Sequence, residues 1–304
     1  MDWFEPMEPI LTNAIMHGEE WIHEVKWDGI RGLAYKDGSN IRLYTKSGRE
    51  RSGWYPEITG EILRLNCRQA VLDGELIVLD PSGKPSFQAI MSRERVKRKE
   101  RLKLYMEKYP VRYMVFDILF KDGKDLRHLP LYERKEILQD ALGSSDMVHA
   151  VSGYDDGEAL FSLMKEKDME GIVSKKTDSP YIGGKKHKMW FKTKTTKQLT
   201  AAVCGLKVKN GEVKSLMIAE YQDGNLVPIG SVSSGLTDRD RIILLNALPQ
   251  LVQEPSEQHR GAKTDDVILI KPVLNVIVSY IEREQNGSLR HPVLVGFMNE
   301  KPKP

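Results

Sequence analysis

The sequence predicts an α+β chain in two parts, an antiparallel-sheet domain followed by a small β-barrel, and three observations carry that prediction. Strand-like and helix-like runs mix through the first two thirds without regular βαβ alternation, which favours an antiparallel arrangement. After Lys192-Thr193-Lys194-Thr195-Thr196-Lys197 the texture changes to short strand-like runs interrupted by one helix. A length of 304 residues points to two domains of unequal size.

Individual elements are legible in chain order. Residues 21 to 28, WIHEVKWD, alternate so that Glu24, Lys26 and Asp28 share one side of a strand and His23, Val25 and Trp27 the other. Leu33 to Tyr35 and Ile41 to Thr45 flank Asp37-Gly38-Ser39-Asn40, a hairpin composition, so a β-meander is expected. Branched and aromatic residues mark further strands at Val71 to Leu79, Val111 to Phe120 and Gly171 to Ser174. Helical spacing is found in Tyr132 to Leu142 and in Glu158 to Lys167. Later strands are expected at Leu199 to Val208, Val213 to Tyr221, Leu226 to Val232, Val267 to Ile270 and Val273 to Tyr280. Thr237 and Asp240 form a capping-box pattern ahead of a helix running to about Leu248. Five or so strands and one helix have the content of an OB-type barrel.

Composition narrows the class. With 40% hydrophobic and 29% charged residues and no apolar run approaching the roughly 18 residues of a membrane span, a soluble globular chain is expected. Met1 to Pro9 carries acidic residues and no apolar segment, so neither a signal nor a transit peptide is expected. Only Cys67 and Cys204 are present, which excludes a cysteine-rich zinc site and fits a reducing, cytoplasmic setting. The net charge of +3, from 46 Lys+Arg against 43 Asp+Glu, does not identify a nucleic-acid binder. Local clusters carry more: Arg93, Arg95, Lys97, Arg98, Lys99, Arg101 and Lys103 form one, and Lys185, Lys186, Lys188, Lys192, Lys194 and Lys197 another. Either can track phosphates or be a solvated face.

Alternating charge in Glu24-Val-Lys26-Trp-Asp28-Gly-Ile-Arg31 is unusual for a half-buried strand, and by itself fits an exposed charge ladder equally well. It stands first in a series: Lys26-x-Asp-Gly-x-Arg31, Leu72-Asp-Gly-Glu75, Phe116-Asp117, Glu170-Gly-Ile-Val-Ser-Lys175 and Trp190-Phe-Lys192-Thr-Lys194. The ordered series resembles the motifs of covalent nucleotidyltransferases, the superfamily of DNA ligases, RNA ligases and mRNA capping enzymes. Met7-Glu-Pro-Ile-Leu, Tyr55-Pro-Glu-Ile, Arg127-His-Leu-Pro-Leu-Tyr-Glu-Arg-Lys135, Asp178-Ser-Pro-Tyr181 and Leu289-Arg-His-Pro292 extend the resemblance to bacterial ATP-dependent DNA ligases of the end-joining type.

That resemblance implies an adenylation domain over residues 1 to 196 and an OB-fold domain over 197 to 304. It implies Lys26 as the nucleophile toward the α-phosphate of ATP, with Glu24, Arg31, Lys46, Glu75, Phe116, Lys192 and Lys194 binding nucleotide and Glu75 with Glu170 holding Mg2+. The implied substrate is nicked double-stranded DNA, and a Ku-like end-binding protein is the candidate recruiter. Two places depart from the family pattern. Thr45-Lys46-Ser47-Gly48 stands where Ser-Arg-Asn-Gly is usual, so Lys46 keeps the charge but not the fork of an arginine. The closing Arg-x-Asp-Lys reads Met298-Asn299-Glu300-Lys301. The rival readings are an RNA ligase or guanylyltransferase, distinguished by nucleotide and acceptor preference, and a non-catalytic DNA-binding module, distinguished by its failure to take up AMP.

Overall fold

The structure, a computed structural model, describes residues 2–252, 267–284 and 286–298. Asn299, Glu300 and Lys301 of the closing motif therefore lie outside the described residues. The chain divides between Thr195 and Thr196 into two compact units.

The first unit begins with β1 (Glu8–Thr12), β2 (Trp21–Val25), β3 (Ile30–Asp37) and β4 (Asn40–Thr45), followed by α1 (Pro56–Leu63), β5 (Gln69–Val78), α2 (Phe87–Glu94) and α3 (Leu102–Lys108). It continues with β6 (Val111–Lys121), β7 (Lys124–Asp125), α4 (Leu131–Ala141), β8 (Val148–Ala150), β9 (Gly153–Tyr154), α5 (Gly157–Glu166), β10 (Gly171–Lys176) and β11 (Lys186–Lys194). One sheet has the order β4-β3-β5-β6-β7, with β8 added parallel to β6. The other has the order β1-β11-β10-β2-β9, antiparallel except where β1 joins β11.

Alternation along β3 explains why both faces of the first sheet are apolar. Leu33 and Tyr35 join Val71, Leu119, Tyr181, Trp190 and Met7 in a layer shared by the two sheets. Ala34 points the other way, into a core with Leu72, Leu76 and Tyr113 that α1, α2 and α4 cover through Ile58, Ile62, Ile90 and Leu138. On the far side of the second sheet, Leu160 and Met164 of α5 pack on Ile172.

The sequence-based strand over residues 21 to 28 is corrected. β2 ends at Val25, and the Lys26 backbone N–H donates to the Gly171 carbonyl at 2.9 Å. Within β2 the expected alternation holds, since Glu24 faces Lys135 and Lys175 while His23 bonds Ser174 and lies against Gly157 of α5, but both are buried. Five strands of this unit were not anticipated: β1 contains Pro9, β11 is studded with lysines, β8 has only three residues, and β7 and β9 have two each.

The second unit comprises β12 (Lys197–Lys209), β13 (Glu212–Gln222), β14 (Asn225–Val232), α6 (Asp238–Leu251), β15 (Val267–Leu269), β16 (Asn275–Tyr280) and β17 (Val293–Met298). The sheet order is β14-β13-β12-β16-β17, with β15 also on β12. Among the described residues a parallel bridge, Ser234 to Val293, links the ends of this curled sheet, giving the partly open barrel of an OB fold. Val203, Leu206, Leu216, Ile218, Val276 and Val278 fill it. The capping box at Thr237 and Asp240 is present, and α6 extends past the expected Leu248 to Leu251 through Pro249.

Candidate active site

A cleft opens between the two sheets of the first unit. The β3–β6 sheet contributes Arg31, Glu75 and Phe116, with Lys46 just past the end of β4. The opposite wall carries Glu8, Glu24, Lys26, Trp27, Val173, Lys175, Trp190 and Lys192. Seven of the nine residues picked out by sequence thus share one cavity, and the other two, Glu170 and Lys194, reach it through Lys26.

Local backbone explains how Lys26 and Glu170 meet. A Cβ on Gly29 would lie 2.2 Å from the Leu76 carbonyl oxygen, so only glycine lets the chain after Lys26 pass this close to β5. Gly171 has φ of +138° and would carry a Cβ 2.1 Å from the Thr193 carbonyl oxygen, which is why the residue after Glu170 is glycine. Between these close approaches Glu170 bonds Lys26 Nζ with one carboxylate oxygen and Lys194 Nζ, at 2.9 Å, with the other. Burial alone would raise the Glu170 pKa, but Lys26 and Lys194 outweigh it and hold the carboxyl below its usual range.

Lys192 is half-buried, and burial followed by repulsion from Lys26 and Lys194 lowers its pKa. Lys46 reaches Glu8 at 2.7 Å with half of its side chain exposed. Arg31 grips Asp73 with two nitrogens, its Nε lying 2.7 Å from Oδ1, and donates to the Met7 carbonyl at 2.9 Å. Asp73 also accepts from the Tyr181 hydroxyl at 2.6 Å. Arg31 stays charged, since Asp73 outweighs the burial that opposes it.

Phe116 sits edge-on to Trp190, with ring centroids 6.3 Å apart. The Arg31 guanidinium lies 4.8 Å and the Lys175 ammonium 4.4 Å from its ring centroid. Glu24 is buried, accepts a hydrogen bond from Lys135 and forms an ion pair with Lys175 at 2.6 Å. Burial raises its pKa, but both lysines outweigh that and keep it ionised. Glu24 is therefore an anchor in the cavity wall, and its oxygens already hold two cations.

One turn of α4 ties the two sheets together. Arg134 donates to both oxygens of Asp117 at 2.8 and 2.9 Å, and Lys135, the next residue, takes Glu24 and the Val151 carbonyl. Sequence reasoning left Lys175, Lys135, Asp73, Tyr181 and Trp190 without roles. All five stand inside the peptides that carried the resemblance, so the signal was present, but pairings this distant along the chain are set by tertiary structure alone.

Glu75 differs from its neighbours. It makes no hydrogen bond or ion pair among the described residues, and burial, opposed by Lys26 and Arg31, pushes its carboxyl up to about 8. Among the described residues no three His, Cys, Asp or Glu side chains are grouped to hold a metal by themselves. One or two carboxylates completed by substrate phosphates is instead the manner in which Mg2+ is held; Glu75 carries no cation, whereas both oxygens of Glu170 already hold Lys26 and Lys194.

The raised pKa of Glu75 bears on stability with a definite sign. A carboxyl whose folded pKa is raised contributes fully below its unfolded value near 4.5 and loses that contribution as pH rises through about 8. Glu75→Gln is expected to match the parent near pH 4.5 and to exceed it by roughly 2–4 kcal/mol above pH 8. Urea unfolding of both proteins at pH 5 and pH 9, without nucleotide, checks this; equal stability at pH 9 refutes it.

The architecture is that of an α+β adenylation fold followed by an OB fold. Residues 5–194 match the family model described as ATP dependent DNA ligase domain, and residues 209–301 match that of the ATP dependent DNA ligase C terminal region. The chain belongs to the ATP-dependent DNA ligase family. It is 31% identical to the SPbeta prophage-derived DNA ligase-like protein LigB of Bacillus subtilis (strain 168), over 94% of this chain and 97% of that one. It is 28% identical to the bifunctional non-homologous end joining protein LigD of the same organism, over 96% of this chain and 48% of that one. The solved structure of mycobacterial DNA ligase D complexed with ATP and MES superposes with a TM-score of 0.56 at 27% identity, covering 98% of this chain and 96% of that one. The chain spans about half the length of several curated relatives it matches. No helix among the described residues is long and apolar enough to cross a membrane.

Proposed function

We propose that the chain seals nicks in duplex DNA by way of an AMP carried on Lys26, with residues 1 to 196 as the adenylation domain and 197 to 304 as the OB-fold domain. The observation that carries this reading is Lys26 itself. It is a cavity-lining amine just past a strand end, paired with Glu170 and flanked by Lys192, in the cleft that also contains Arg31 and Phe116. Lys26 Nζ attacks the α-phosphorus of ATP and pyrophosphate leaves. AMP then passes to the 5′-phosphate at the nick, and the adjacent 3′-hydroxyl displaces it to form the phosphodiester.

Each neighbour has work that suits its chemistry. Phe116 offers an aromatic wall for adenine, and Arg31, Lys46, Lys192 and Lys194 face the negative charge of the triphosphate. Glu75, joined by Glu170 once its lysines turn to the phosphates, would hold Mg2+, which would supply further charge neutralisation. The longer relatives named for end joining support a role in that repair; a Ku-like end-binding protein as recruiter and a cytoplasmic setting complete the proposal.

Intact mass measured after incubation with ATP and Mg2+ tests the reading. A species heavier by one AMP and discharged by pyrophosphate is expected. A guanylate formed from GTP in its place supports the capping-enzyme alternative, and no adduct supports a non-catalytic module. Affinity for nicked duplex is expected to fall steeply with salt, by a log–log slope of about −0.9 per phosphate contacted. Neutralising exposed Lys185, Lys186 and Lys188 together is expected to flatten that slope by about one to three without changing which nick sequences are sealed, as fluorescence anisotropy in a salt series reads directly.

A further inference from the structure

The basic run after α2 is sorted by the fold into two populations. Arg93 is fully buried and bonds Glu57 at 2.6 Å. Glu94 turns inward, where it accepts from Arg51 Nε at 3.0 Å and from the Tyr55 hydroxyl at 2.9 Å. Val96 is buried as well and pins the start of the exposed stretch to the core. The remaining cations, Arg95, Lys97, Arg98, Lys99, Arg101 and Lys103, are all exposed, and none makes an ion pair among the described residues. Only Glu100 opposes them.

The fold therefore concentrates charge that the sequence leaves mixed. Of the two acids that dilute the run in the sequence, Glu94 is taken up by the internal Arg51 and Glu100 stays exposed, so a ridge of predominantly positive charge faces solvent. Such a ridge costs self-repulsion, and a polyanion relieves it. The ridge is also placed. Lys99 lies 5.8 Å from the Trp54 ring centroid, and Trp54 stacks under Arg51, whose backbone bonds Leu43 of β4. The same edge strand leads to Lys46 in the cleft wall.

We propose that Lys97, Arg98, Lys99 and Arg101 bind backbone phosphates of the duplex flanking the nick, an anchoring surface separate from the reacting atoms. This rests on the reading of the chain as a DNA-sealing enzyme. The 3-10 turn at Lys99–Arg101 and its flanks extend over roughly 10 Å, against phosphates spaced about 3.4 Å along one strand, so two to four contacts are reachable. These contacts carry no sequence information, and they hold the duplex in register.

The test is the salt dependence of binding to a nicked duplex by the full chain and by a variant carrying Lys97→Gln, Arg98→Gln, Lys99→Gln and Arg101→Gln. Adenylation by ATP without DNA is measured in parallel. The variant is expected to charge at the parental rate, to bind about tenfold or more weakly at low salt, and to show a log–log slope shallower by about two to four. The pair Lys97→Gln and Arg98→Gln reads the same slope should four changes disturb folding. A parental slope in variants that charge normally overturns this inference alone. A parent chain that charges but shows no salt-dependent affinity for the nick overturns the DNA reading and this inference with it.

Discussion

Replacing Lys26 by alanine is expected to abolish covalent transfer of AMP from ATP, the largest effect any single change in this chain should have. The reaction needs a lone pair at the α-phosphorus, and alanine has none to offer. The fold should survive, because Glu170 keeps Lys194 at 2.9 Å when its other partner is removed. The site nevertheless holds a second candidate. Lys192 lines the same cavity, and burial with repulsion from Lys26 and Lys194 lowers its pKa, which favours the neutral amine. Peptide mapping of the adenylated parent decides between them: AMP on Lys26 is expected, and AMP on Lys192 would reverse the assignment. A pre-adenylated nick supplied to Lys26→Ala should still be sealed, since the steps that need the amine are then already complete.

The second large effect is on stability. Arg134 and Asp117 are both fully buried, and their paired hydrogen bonds are what makes an ionised Asp117 tolerable in the core. Arg134→Met leaves that carboxylate without its partner, which costs about 3–5 kcal/mol. For a unit of this size that lowers the melting temperature by on the order of 10 °C. Asp117→Asn in the same chain should restore much of the loss, because no charge is then stranded. Thermal melts of the two single variants and the double variant give the coupling, and simple additivity would show that the pair does not act as a unit. Since Asp117 follows Phe116, nucleotide affinity should weaken alongside stability in Arg134→Met.

Lys26 and Arg134 also mark the boundary of what the sequence makes legible. Lys26, Arg31, Glu75, Glu170, Lys192 and Lys194 were picked out by their places in short, ordered peptides that resemble a known motif series, and the fold gathers them at one cleft. The OB unit was found because half-buried strands alternate and turns are rich in glycine and asparagine. Pairing across the chain stayed hidden. Nothing local to Glu24 says that Lys135 and Lys175 will claim it, and nothing in Arg93 to Lys103 says which charges face inward. β11 reads as a solvated basic stretch until Trp190 is seen buried between the sheets, and β1 carries a proline that argues against a strand until its parallel place beside β11 is known.

The turn of α4 that carries Arg134 and Lys135 has a meaning for how this chain can change over generations. Two carboxylates on the two sheets that wall the cleft, Asp117 and Glu24, answer to neighbouring residues whose Cα atoms are about 3.8 Å apart. A shift of that helix is felt on both walls at once, so drift at either wall is constrained by the other. One peptide unit thus joins the shared apolar layer and the Arg31 and Tyr181 bonds in setting the separation of the sheets.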